Sequence, residues 1–425
     1  MSKKNCYNDN GRNMKGQQLA TEIVQRLVDQ GHIAYFAGGW VRDFLMDHPS
    51  DDIDIATSAS PAEVLDLFPN TVHVGIAFGV VVVAMEGHQF EVATFRQDFD
   101  YQDGRKPTRI VASTPFEDAQ RRDFTINGLF YDPMTHEIHD YVNGRQDIEK
   151  GIIRTIGDPQ DRFREDRLRM IRAIRFAARF QFHIDLETEE AIKQNADLLF
   201  PSVSAERIWQ EFEKMSSRPH FDRAIIDLHR LGLLSVIFPE LKTVDLSTIR
   251  ERVAHYGEFP SKIKTSAFLL ELFPGKNEDE FEELCRQLKT SNEEIRFARL
   301  LIHCKALVDR EEKNGFHKQD RSIWSNFYVH ADAERCLGVV AANRSQAEKG
   351  AFLEKHQLRR ASLAQHIERI QKRKPLITAK EIQELGVSPG KKMGELLKAA
   401  EKISIEEDLH DTQKVIDLLR QQKDF

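Results

Sequence analysis

Strand-forming patterns stop at about residue 150 of this chain and do not return. Before that point strand and helix signals alternate. "IAYFAGG", "VVVVAM" and "QFEVATFR" are β-branched and aromatic runs, and the "EGH" between the last two suggests a hairpin. "QLATEIVQRLVDQG" reads as a helix closed by Gly31, and Ser60-Pro61 with Glu63 marks another helix start. Beyond residue 150, "DRLRMIRAIRFAARFQF", "TEEAIKQNADLLF" and "AERIWQEFEKM" are helix-periodic, and helical patterns continue to the end. The expected fold class is α+β: a mixed N-terminal domain followed by a long helical remainder. At 425 residues the chain is too long for one core, and soft boundaries fall near Pro201 and near 300.

The net charge of −7 argues mildly against a nucleic-acid partner. The local balance differs. Residues 151–180 hold eight Arg against four Asp/Glu, and residues 351–400 hold eleven Lys/Arg against five Glu. Two basic segments in an acidic protein are candidate phosphate-backbone surfaces, or simply solvated helix faces. The four cysteines, Cys6, Cys285, Cys304 and Cys336, have no metal-ligand spacing and read as buried thiols of a reducing cytosol. The start, "MSKKNCYNDNGRNMKG", lacks an apolar core and reads as a loose leader over 1–16. "VVVVAM" is too short to span a bilayer. The expected location is the cytoplasm, with no membrane partner.

The segment "SDDIDIAT" (50–57) puts three aspartates into a strand-like stretch. Alternate strand residues share a face, so Asp52 and Asp54 point one way while Ile53 and Ile55 point into a core. Two such carboxylates repel unless a cation lies between them, and hard oxygen ligands suit Mg²⁺. Glu91, on another predicted strand, offers a third carboxylate. The spacing permits a two-metal arrangement with ions ~3.5–4 Å apart. A lone D-x-D is more often a surface turn. Upstream, "GGWVRD" places Gly38 and Gly39 between a strand and a helix, where a phosphate can approach backbone N–H groups. Arg42 there offers a charge-assisted contact.

A GGxVRD turn followed by D-x-D-I-A-T resembles the class II tRNA nucleotidyltransferase and bacterial poly(A) polymerase family, within the polymerase-β-like nucleotidyltransferase superfamily. "RRDFTIN" (121–127), "DYVNGRQDI" (140–148), "EDRLRMIRAIRF" (165–176) and "AERIWQEFEKM" (205–215) are similar to further motifs of that family, in order. The resemblance covers residues 33 to 215. It implies a nucleotidyltransferase head at 17–148, a nucleotide-selecting helical neck at 149–200, a helical body at 201–300 and a tRNA-binding helical tail at 301–425.

It also implies roles. Asp52 and Asp54, with Glu91, hold two Mg²⁺ ions that activate an RNA 3′-hydroxyl and bridge the triphosphate. Arg121 and Arg122 suit the triphosphate; Asp123 and Asn127 suit ribose hydroxyls or the positioning of those arginines. Asp166 and Arg169 stand three apart on a helix and so share a face. An aspartate accepts from an exocyclic amino group and an arginine donates to ring acceptors, so the pair can select C and A without a nucleic-acid template. The plain alternative is a helix ion pair. The other arginines of this stretch (162, 164, 167, 172, 175, 179) read mostly as ion pairs with the head or as solvated, with one or two as phosphate contacts.

The polar stretch "RQDFDYQDGRKPTR" (96–109), with Asp98, Asp103 and Arg105, resembles the flexible loop that helps CCA-adding relatives switch from C to A. The stretch "TVHVGIAFGVVVVA" lacks the arginines usual in poly(A) polymerases. "KPLITAKEIQELGVSPGKKMGELL" (374–397) resembles a tRNA-binding tail, with Lys391 and Lys392 as RNA contacts. The expected activity is therefore addition of C, C and A to the 3′ end of tRNA from CTP and ATP. The alternatives are an A-adding enzyme, a poly(A) polymerase, or a non-catalytic RNA-binding protein. Oligomeric state is not readable.

Overall fold

The computed structural model describes residues 6–48, 50–72, 79–102 and 106–421, with side chains from residue 14 onward except 98–102 and 106–108. Two compact units divide at 251/252. The expected cuts near Pro201 and near 300 are not the point of division; the helix Asn292–Asn314 runs straight through residue 300. No helix among the described residues is long and apolar enough to cross a membrane.

The first unit opens with α1 (Cys6–Asp29), so residues 6–16 begin a helix rather than a loose leader. The sheet strands follow as β1 (Ala34–Ala37), β2 (Asp54–Thr57), β3 (Thr71–Val72), β4 (Val80–Met85) and β5 (His88–Thr94). Helices α2 (Gly39–Leu45) and α3 (Pro61–Leu67) are interleaved with them. Ser60 and Glu63 close a reciprocal capping box at the start of α3. β4 and β5 form the expected hairpin, with Met85 opposite His88 and both turn residues, Glu86 and Gly87, at positive φ, as a two-residue turn of matching twist requires.

β6 (Arg96–Gln102) and β7 (Lys106–Ala112) pair antiparallel as a separate ribbon. The expected loop at 96–109 is thus a hairpin; Asp103 and Arg105 lie outside the described residues, as does the side chain of Asp98. After α4 (Pro115–Gln120), β8 (Leu129–Asp132) and β9 (Glu137–Asp140) complete the sheet. Among the described residues its order is β3-β4-β5-β2-β1-β8-β9. β2 is antiparallel to β1 and parallel to β5. One face of this sheet carries Phe36, Ile55, Phe90 and Val92 and packs with Leu19, Ile23 and Leu27 of α1. Ala37, Ala56 and Phe130 lie in a second cluster with Phe95, Ala119 and Ile156.

The helical part of this unit runs through α5 (Gly144–Lys150), α6 (Pro159–Glu165), α7 (Leu168–Phe180), α8 (Leu186–Asn195), α9 (Ala205–Ser216) and α10 (Phe221–Arg230). The stretch read as helical from Asp166 onward is α7, but Asp166 itself, expected on one helix with Arg169, lies outside it, between α6 and α7. Asp166 is extended (φ −152°), and its side chain accepts from the Leu168 amide instead of letting α6 continue. The buried face of α7 is Met170, Ile171, Ala173, Ile174 and Ala177, which leaves the arginines on the others.

The second unit is helical throughout its described residues. Its last three helices close a core of their own around Ile382, Leu396, Ala400, Val415 and Leu419. Cys285, Cys304 and Cys336 are buried free thiols, as expected, and burial raises the thiol pKa of all three. The side chain of Cys6 lies outside the described residues.

Candidate active site

A cleft of about 670 Å³ in the first unit collects most of the residues singled out in the sequence. Its head wall carries Gly38, Gly39, Arg42, Asp52 and Asp54, with Arg121, Arg122, Asp123 and Asn127 beside them. Its helical wall carries Asp166, Arg169 and residues of α7 and α9. Lys391 and Lys392 belong to the second unit, where both are solvent-exposed at the start of the helix Lys391–Glu406.

The carboxylates follow the expected alternation. Ile53 and Ile55 are buried, while Asp52 is exposed and Asp54 half-buried. β2 begins only at Asp54, so Asp52 stands just ahead of the strand. In the parallel β2–β5 register Ile55 faces Val92, which sets Glu91 beside Asp54 one strand over. Burial pushes the Asp54 carboxyl up to about 6; Asp52 and Glu91 push the same way, and Arg122 opposes them. The local charge is therefore under-compensated, which suits a hard divalent cation held by oxygen donors. The three carboxylates do not meet within 4.8 Å of one another; the cluster that does, among the described residues, is His366, Asp408 and His410 of the second unit. There Arg369 donates to Nδ1 of both histidines at 3.1 and 3.4 Å, and Arg321 pairs with Asp408 at 2.8 Å. Two guanidinium groups make that cluster a hydrogen-bond network of the wrong charge for a metal.

Gly38 has φ +65°, and a Cβ there would stand 2.9 Å from Nη1 of Arg122. The glycine thus gives room to an arginine as well as to the turn. Arg42 is buried, not reaching outward: it donates to Asp43 at 2.8 Å and to Asn127 Oδ1 at 2.5 Å and lies over Phe180. Burial lowers its pKa to about 10 despite Asp43. Arg121 and Arg122 are both held by Asp118, at 2.7 and 2.9 Å. Burial raises the Asp118 carboxyl, but the two arginines outweigh it and hold it below its usual value. Sequence reading missed Asp118, although its i+3 and i+4 spacing to the arginines is a visible signal.

Asp123 joins head to neck. Its Oδ2 accepts from Nε and Nη2 of Arg172 at 2.8 and 2.5 Å, and its Oδ1 accepts from Asn127 and from the Phe124 amide. Burial would raise this carboxyl, but Arg172 and Asn127 hold it well below the carboxylate range. Arg179 pairs with Asp43, also across head and neck, while Arg175 pairs with Glu211 of α9 and Arg164 with Asp161 on an exposed face. Of the six arginines, Arg172 and Arg179 form the expected ion pairs with the head and Arg164 is exposed, while Arg162 and Arg175 pair within the helical part.

The "DYVNGRQDI" motif fastens this floor. Asp140 accepts from the amides of Val142, Gly144 and Arg145, and Asp147 accepts from the Thr125 hydroxyl at 2.7 Å. Gly144 presses on the chain at Thr125: a Cβ there would stand 2.2 Å from its carbonyl oxygen. This motif positions "RRDFTIN".

Asp166 and Arg169 both line the cleft, each held from a different side. Arg207 of α9 grips the Asp166 carboxylate at 2.7 and 3.2 Å, a two-pronged contact. Arg169 donates to Glu165 at 2.5 Å and to the Arg162 carbonyl at 3.0 Å. Arg207, Gln210, Glu211 and Lys214 all line the cleft from one face of α9. The sequence reading quoted their motif but did not single them out; their helical spacing was the available signal.

A mixed-sheet head presenting adjacent carboxylates to an arginine-lined cleft defines a nucleotidyltransferase. Known proteins bear this out. Residues 34–154 match the model of the "Poly A polymerase head domain", 181–244 that of the "Probable RNA and SrmB- binding site of polymerase A", and 258–419 that of the tRNA nucleotidyltransferase domain 2. The chain is 38% identical over 284 residues to the CCA-adding enzyme of Bacillus cytotoxicus, covering 67% of this chain and 70% of that one. It is 33% identical over 401 residues to the CCA-adding enzyme of Pediococcus pentosaceus, covering 92% and 94%. The crystal structure of the Bacillus stearothermophilus CCA-adding enzyme in complex with CTP superposes with a TM-score of 0.77 at 30% identity, covering 95% of this chain and 98% of that one. The chain belongs to the CCA-adding enzyme family.

Proposed function

We propose that this protein adds C, C and A to the 3′ end of tRNA, without a nucleic-acid template, from CTP and ATP and with release of pyrophosphate. The observation that carries the reading is the under-compensated pair Asp52 and Asp54, with Glu91 one strand over, on the same cleft as the Asp166–Arg207 and Arg169–Glu165 pairs. Asp52 and Asp54, with Glu91, would hold two Mg²⁺ ions, which when bound acidify a 3′-hydroxyl and neutralise a triphosphate. Arg121 and Arg122, aligned by Asp118, take the phosphates. Asn127 and Asp123 lock the arginines around them and leave the ribose to the glycine turn at Gly38 and Gly39. Asp166, aligned by Arg207, accepts from the exocyclic amino group of cytosine or adenine, and Arg169 donates to the neighbouring ring acceptor. A base with the opposite pattern leaves both groups unpaired, at about 1–3 kcal/mol each. Lys391 and Lys392 contribute to the RNA surface of the tail.

The test uses tRNA transcripts ending before CCA, after C and after CC, each incubated with single nucleotides. CMP on the first two and AMP on the third is the expected result. AMP on the third alone would make this an A-adding enzyme, and long A tails on unrelated RNA a poly(A) polymerase.

A further inference from the structure

A second hollow, of about 220 Å³, opens where the C-terminal half of α7 meets the end of α9 and the start of α10. Its walls carry four cations: Arg175, Arg179, Lys214 and Arg218. The first three also line the main cleft, so cleft and hollow share a wall. Among the described residues, two carboxylates form ion pairs with members of this group. Glu211 is shared by Arg175 and Lys214, and Asp43 by Arg42 and Arg179. Arg218 is exposed at the mouth, beside Ser217 and His220. The hollow is therefore net positive and open to solvent.

Its position follows from helix geometry. Arg169, Arg172, Arg175 and Arg179 recur every three or four residues of α7 and so run along one side of it. Ten residues at 1.5 Å each put Arg179 about 15 Å from Arg169. Phe176 and Phe180 floor this row: Arg175 stands 4.1 Å over the first ring and Arg179 4.6 Å over the second, which holds both guanidinium groups flat. A chain leaving the base-selecting end along α7 meets cations the whole way to the hollow. The hollow is smaller than the ~300–1,000 Å³ of a whole small-molecule site, and its lining contains no residue of the head. It fits one anionic group of a longer molecule better than a nucleoside triphosphate.

We propose that this hollow takes a backbone phosphate of the RNA strand whose 3′ end is being extended, with Arg218 and Lys214 as its solvent-side contacts. The proposal rests on the nucleotidyl-transfer reading above. Arg218 belongs to the hollow and not to the cleft, so R218A separates the two. For R218A we expect the KM for tRNA to rise about five-fold, with kcat and the KM for CTP held. The salt slope of RNA binding should fall by about 0.7, one single-strand phosphate contact. An acceptor-stem minihelix should show the same loss, because the site is near the 3′ end. R218K should recover most of the affinity.

Unchanged RNA affinity and salt slope in both R218A and R218E would overturn the proposal. So would a rise in the KM for CTP alone, which would assign the hollow to the nucleotide, or a loss seen with tRNA but absent with the minihelix. RNA binding measured by anisotropy without nucleotide reads the site even if the wild-type chain incorporates nothing, so failure of the activity and failure of the site are told apart.

Discussion

Single residues carry the chemistry, and Asp54 shows how much of that the sequence discloses. Its partnership with Asp52 is readable from strand alternation, and the buried Ile53 and Ile55 agree. Its titration is not readable, because that depends on Glu91 one strand over and on Arg122 from a distant turn. In the folded protein burial pushes the Asp54 carboxyl up to about 6, from an ordinary value of 3.8. The folded state thus holds this proton more tightly. The stability so contributed is full below about pH 3.8 and is lost as pH rises through about 6. Asp54→Asn should therefore abolish incorporation while making the metal-free protein about 1–2 kcal/mol more stable at neutral pH. Thermal melts across pH check this: the gap should narrow as pH falls through about 6 and close below about 3.8, and a gap that did not change with pH would mean the gain is not electrostatic. Arg42 shows the opposite limit. Nothing in "GGWVRD" tells a buried clamp from a phosphate ligand; only the closeness of Asn127, Asp43 and Phe180 decides it.

Among the elements, the neck departs most from expectation. Asp166 and Arg169 are expected on one helix, but α7 starts only at Leu168, whose amide donates to the Asp166 side chain and leaves Asp166 outside the helix. The break turns the Asp166 carboxylate toward Arg207 of α9, a residue 41 positions away. In the proposed mechanism Arg207 does not meet the base; it orients the Asp166 carboxylate. Arg207→Ala should keep CMP incorporation measurable but raise misincorporated UMP and GMP by about ten-fold, the scale of one lost charged hydrogen bond. Single-nucleotide competition assays check this, and Arg207→Lys should restore discrimination only in part, since an ammonium lacks the fork. The "DYVNGRQDI" element works through contact alone. Gly144→Ala would drive a methyl group into the Thr125 carbonyl; it should cost about 1–3 kcal/mol in a denaturant melt and lower kcat by shifting Arg121 and Arg122. An unperturbed melt would mean the turn yields more easily than its packing suggests.

Over the whole molecule the two compact units differ in how much the sequence disclosed. In the first, four of the five ordered motifs line one cleft and the fifth, "DYVNGRQDI", fastens its floor. In the second, the motif-like lysines sit on an exposed helix start, and the burial of the cysteines was readable but not what packs around them. Three of the four cysteines are buried there. Under native conditions at most one of the four thiols should react with a disulfide reagent, and all should react in denaturant; fast native reaction of two or more would contradict the packing around Cys285, Cys304 and Cys336. By itself the sequence determined the α+β head, the helical remainder, the facing of Asp52 and Asp54 and the family, because alternation, helical period and motif order are properties of neighbouring residues. Tertiary structure alone decided which charges meet: Glu91 beside Asp54, Arg172 on Asp123, Arg207 on Asp166, and the shared cationic wall of α7 and α9. Those pairings join positions far apart in the chain, and a carboxylate's charge and aim depend on what folds against it.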